Sequence, residues 1–94
     1  MDRPAVGLAE ITPPTCLKGE RLVVLRPEGW RRDYRADSDP FQSADGTWRI
    51  RVLPEAAWYV LRECGLMPPD TRIEDVPLTH AMVETWTDPA ASLW

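Results

Sequence analysis

The chain has 94 residues, 44% of them hydrophobic and 28% charged, with a formal net charge of −4. That makes one small domain of ordinary globular composition and argues against a disordered chain or a strongly basic nucleic-acid binder. The longest strictly apolar run, Ala56 to Leu61, is six residues, far short of the roughly 20 that a membrane span needs.

Residues 1–18 hold Pro4, Pro13 and Pro14 and little periodicity. Val6, Leu8 and Ile11 are expected to pack on the body as an extended arm, adding at most a short strand. Arg21-Leu22-Val23-Val24-Leu25-Arg26 is the clearest strand, and its aliphatic residues point both ways, which predicts cover on both faces. Pro27-Glu28-Gly29 reads as a turn. From Trp30 to Arg35 the pattern alternates, placing Trp30, Arg32 and Tyr34 on one face and Arg31, Asp33 and Arg35 on the other. The polar stretch from Ala36 to Gly46 reads as a long loop ending in a hairpin-type Asp-Gly. Thr47 to Leu53 alternates again, with Trp48, Ile50 and Val52 inward and Thr47, Arg49 and Arg51 outward.

Pro54 suits the first position of a helix over 54–64. Ala57, Trp58, Leu61 and Cys64 form its apolar stripe, which buries Cys64 as an inert thiol. Gly65 fits the C′ position, with Leu66 touching Leu61 in a Schellman motif. Pro68-Pro69-Asp70 breaks the chain, and 72–76 reads as a short irregular or extended piece. Across 78–87, Leu78, Met82 and Trp86 keep helical spacing while Thr79, Val83, Thr85 and Thr87 are strand-prone. A short helix is the expectation there, with a strand as the alternative. Residues 88–94 read as a loose tail.

The predicted fold is therefore α+β in one domain. A meander of about three antiparallel strands is packed by the 54–64 helix, with a second short element near 78–87.

Chemistry narrows the function by elimination. One histidine, His80, and two distant cysteines offer no zinc-ligand spacing. Asp37-Ser38-Asp39 starts like a calcium loop, but Phe41 and Gln42 stand where a ligand and the obligatory glycine belong. Glu74 and Asp75 are adjacent and share no face, so they form no catalytic dyad. The five glycines read as turns and caps rather than a phosphate loop. No enzyme, metal or cofactor is expected. The first residues lack the basic and apolar regions of a secretory leader. Cys16 and Cys64 read as free thiols, so the expected compartment is the cytoplasm.

Arginine and aromatic residues are what remain. Ten of the eleven basic residues are arginine, a bias toward planar, bidentate and stacking contacts. Residues 21–51 hold seven Arg against five acids, whereas 52–94 hold two Arg against seven acids. Outward Arg31, Arg35, Arg49 and Arg51, with Trp30 and Tyr34 as anchors, form the expected contact patch, because Trp, Tyr and Arg dominate interface hot spots. The expected partner is a protein, and the expected role is a non-catalytic adaptor or small inhibitor of a larger assembly. A nucleic-acid-associated regulator using the same face is the alternative. Asp70, Glu74, Asp75, Glu84 and Asp88 form a second candidate surface that would face a basic groove. In size, acidity and absence of catalytic residues the chain is similar to small acidic phage inhibitors, anti-CRISPR proteins among them, a likeness of type that covers no motif.

Overall fold

The computed structural model describes residues 5–87, so the 88–94 tail and Asp88 lie outside it. The described residues form seven strands: β1 Ala5–Glu10, β2 Arg21–Arg26, β3 Gly29–Ala36, β4 Phe41–Gln42, β5 Trp48–Pro54, β6 Glu74–Pro77 and β7 Ala81–Thr87. One helix, α1, spans Glu55–Cys64, and a single 3₁₀ turn covers Leu78–His80. All strand pairs are antiparallel, in the order β1-β7-β2-β3-β5. Val52 pairs with Ala36 of β3 and Glu74 of β6, and Arg49 with Phe41 of β4 and Pro77 of β6. Hence β3 and β4 share one side of β5, and β6 takes the other. The 3₁₀ turn carries the chain from β6 back to β7, touching β2, β5 and β7 on the way. The sheet thus curls into a half-barrel.

This corrects the expected three-stranded meander. Residues 5–10 form a full six-residue strand, and 78–87 is a 3₁₀ turn followed by a strand, not a helix. The reason is tertiary. β7 lies between β1 and β2, and its alternating Thr and Val residues satisfy both ladders. A lone segment with Leu78, Met82 and Trp86 at helical spacing carries no sign of those partners.

The concave side holds the core: Leu22 and Val24 from β2, Ala36 from β3, Ile50 and Val52 from β5, Val76 and Ala81, with Ile11 and Leu17 packed in. β2 is central and buried on both faces, as its aliphatic run predicts, because Val23 is buried as well. Leu53 alternates with Ile50 and Val52, so it points to the convex side, where α1 packs on β3 and β5. Leu53 and Ala57 are buried there.

Three details of the helix region differ from the expectation. Pro54 is extended, with φ −59° and ψ 141°, and serves as N-cap and last residue of β5 rather than as the first helical residue. Gly65 is left-handed at φ 73° and donates its N–H to the Leu61 carbonyl. That is the simpler left-handed cap, and Leu66 stays exposed instead of folding onto Leu61. Only Ala57 of the helix is buried; Trp58 and Leu61 are half-buried and Cys64 is exposed. Trp48 also departs from its expected place. It is 40% exposed, because it sits opposite Gln42 of the two-residue β4, where the half-barrel is open.

Among the described residues no helix is long and apolar enough to cross a membrane. Replacing fully buried Ile50 by Ala should destabilise the protein by about 3 kcal/mol, whereas Trp48→Ala should cost under about 1 kcal/mol. Urea unfolding of both variants measures the contrast.

Candidate functional site

β3 carries a bulge that re-sorts the arginines. Tyr34 pairs with Leu22 and Arg31 with Val24, so three steps along β3 match two along β2. The extra residue lies in the Arg32-Asp33 pair, and Asp33 adopts φ 74°. Directly paired residues share a face, so Arg31 and Tyr34 both stand on the side of core-facing Leu22 and Val24. Arg35 pairs with Leu53 on the convex side, which Arg49 and Arg51 share by alternation along β5. The four expected patch residues therefore divide, three on the convex side and Arg31 on the other. Trp30 and Trp48 also stand apart, about ten strand residues or roughly 30 Å along the β3–β5 pair.

The convex trio is largely engaged within the chain. Arg35 is only 14% exposed and ties together β3, α1 and the turn before β2. Its Nη1 donates to the Gly19 carbonyl at 2.8 Å, its Nε to Glu55 at 3.2 Å and its Nη2 to the Tyr59 hydroxyl at 3.0 Å. The guanidinium also lies 4.4 Å from the Trp58 ring centroid, with Arg62 on that ring at 5.3 Å. Arg51 donates to its cross-strand neighbour Asp75 at 2.9 Å, which raises the arginine pKa further. Arg49 donates to the Asp75 carbonyl at 3.4 Å.

A different arrangement stands at the β2–β3 hairpin. Arg26 donates through Nη1 and Nη2 to the two oxygens of Glu74, at 2.8 and 3.2 Å. Its Nε and Nη2 also donate to the Tyr34 hydroxyl, at 3.3 and 3.1 Å. Arg72 reaches the same Glu74 at 2.8 Å while remaining 81% exposed. These groups, with Arg31, Pro27 and Pro54, line a cleft of about 470 Å³. Arg31 is exposed and meets no carboxylate among the described residues. Trp30, 40% exposed, precedes it at the hairpin end. Sequence reasoning named Trp30, Arg31 and Tyr34 but missed Arg26 and Arg72. Arg26 and Glu74 stand 48 residues apart, and nothing in their local sequence links them.

The acidic candidates are mostly occupied too. Glu74 and Asp75 hold arginines as described, and Glu84, whose side chain is 7% exposed, lies 3.6 Å from Arg32. Asp70 is exposed, in a left-handed turn at φ 64°. The 36–46 loop is more tied down than a solvated run. Asp39 accepts the Leu17 and Lys18 N–H groups at 2.9 and 3.0 Å, and Asp45, bonded by Ser43 and the Thr47 N–H, is held at about 2. Both cysteines are free and exposed, and the hydrogen bond of Cys16 to Asp39 pushes its thiol pKa up. Among the described residues no three His, Cys, Asp or Glu side chains are grouped to hold a metal ion.

The chain matches no known protein family, and comparison with curated proteins and solved structures finds none similar to it.

Arg26 holds the Glu74 carboxyl below its ordinary value of 4.5. A depressed carboxylate contributes stability that is complete above about pH 4.5 and is lost as pH falls through its folded value. Glu74→Gln should therefore cost about 1 kcal/mol at pH 7 and progressively less on acidification toward pH 3, as read from urea unfolding at each pH.

Proposed function

We propose that this protein is a non-catalytic protein-binding module, an adaptor or small inhibitor of a larger assembly, that docks through the β2–β3 hairpin end. Trp30, Arg31 and Tyr34 make the first contacts. The observation that carries this reading is Arg31, a guanidinium with no carboxylate partner among the described residues, set in a ready-formed cleft at the hairpin end, with exposed Trp30 preceding it on the opposite face of the strand. An unspent fork and an exposed indole at one hairpin end have the composition of an interface hot spot. Arg35 and Arg51, in contrast, already have partners within the chain, so their removal would disturb the fold before it disturbed a contact.

Two other readings are less well supported. A nucleic-acid backbone demands several uncompensated cations, and the arginines of β2, β3 and β5 are mostly matched by carboxylates. An acidic docking face would require Glu74, Asp75 and Glu84 to leave their arginines. We place the protein in the cytoplasm, where exposed Cys16 and Cys64 stay reduced.

The test is affinity capture from source-cell lysate with the intact chain and with a Trp30→Ala, Arg31→Glu double variant. The double variant should keep the thermal midpoint and lose the captured protein, while Arg49→Glu should retain it. Equal capture by the double variant would remove the hairpin end as the docking surface.

A further inference from the structure

We propose that the cleft beside β3 is a carboxylate receptor, in which an acidic side chain of the partner protein enters between Arg31 and Arg72 and lies against Tyr34. The inference rests on the protein-binding reading and names the chemistry that the docking site accepts.

Charge sets the ligand. Arg26, Arg31 and Arg72 line the cleft against Glu28 and Glu74, which leaves one positive charge. A single carboxylate neutralises that surplus; a polyphosphate overshoots it and meets Glu28 as well. Glu74 is already gripped by both Arg26 terminal nitrogens, so it does not reach for Arg31. Arg72 lies 2.8 Å from Glu74 through Nε while its side chain stays 81% exposed. Two guanidinium groups are thus presented with donors unspent, and a carboxylate takes such forks in paired hydrogen bonds.

The lining supports the same assignment. Pro27 and Pro54 give walls without an N–H donor, suited to a methylene stem. The Tyr34 hydroxyl accepts from Arg26, so its own proton is free to donate to an arriving oxygen. A volume of about 470 Å³ accommodates one side chain with its flanking backbone. Both forks face water, so binding is weak and falls as salt rises.

The test follows the arginine Nε–Hε signals of the ¹⁵N-labelled full chain by NMR. It is titrated with a short peptide alternating Glu and Gly, its Gln-for-Glu counterpart, and a short single-stranded DNA. The Glu peptide should shift the Arg31 and Arg72 signals selectively, and the Gln peptide should not. R31Q and R72Q should each weaken the Glu peptide by about tenfold with an unchanged thermal midpoint. Equal shifts from the Gln peptide, unweakened binding by both variants, or preference for DNA would each overturn the receptor. The two readings separate cleanly. Lost capture by the Trp30, Arg31 double variant without peptide binding would leave protein docking standing and the receptor refuted. Peptide binding with unimpaired capture would do the reverse.

Discussion

One inserted residue in β3 governs where the rest of the side chains go. Without the bulge at Arg32-Asp33, strict alternation would set Arg31 and Arg35 on one face and Tyr34 opposite Arg31. With it, the C-terminal half of β3 keeps Ala36 in the core and Arg35 under the helix, while the N-terminal half turns Arg31 toward the cleft. The left-handed Asp33 is the local cost of that change, in a conformation that Asp tolerates better than most side chains. Structure and candidate function are thereby divided along one strand: beyond the bulge the arginine holds the fold, and before it the arginine faces outward.

The uneven charge of the sequence has its explanation in the same sheet. The arginine-rich middle folds against the acidic C-terminal half, strand by strand: Arg26 with Glu74, Arg51 with Asp75, Arg32 with Glu84, and Arg21 and Arg35 with Glu55. Individually the exposed pairs are worth little, about 0–1 kcal/mol each. Their value lies in register. Arg51 directly faces Asp75 across the β5–β6 ladder, and a one-residue slip would separate them. Arg35 differs in kind, since it is mostly buried and satisfies the Gly19 carbonyl, a carboxylate and a tyrosine hydroxyl together. The helix buries only Ala57, and Arg35 meets its Glu55, Trp58 and Tyr59.

What the residues disclose in advance follows from how local the forces are. The β2 strand, the Pro27–Gly29 turn, the inward Ile50 and Val52, and the Gly65 helix stop all rest on chemistry within a few residues. β1, β6 and β7 do not. Each is short or mixed in pattern and becomes a strand because of a neighbour far away in sequence. The bulge was hidden because Trp30 to Arg35 alternates without a glycine or proline to mark a break. Of the candidate contact residues, Arg31 and Tyr34 line the cleft and Trp30 stands at the same hairpin end on the opposite face, yet the pattern alone grouped Arg31 with three residues of the opposite face. Arg26 and Arg72 escaped notice because their shared carboxylate lies across the fold.

The pairing of β1 with β7 joins residues more than seventy positions apart. As the chain leaves the ribosome, β1 must therefore wait without its ladder until β7 has been translated, and the outer side of β2 waits with it. Sheet closure is consequently a late event in folding, and the nascent chain exposes two hungry strand edges until β7 arrives.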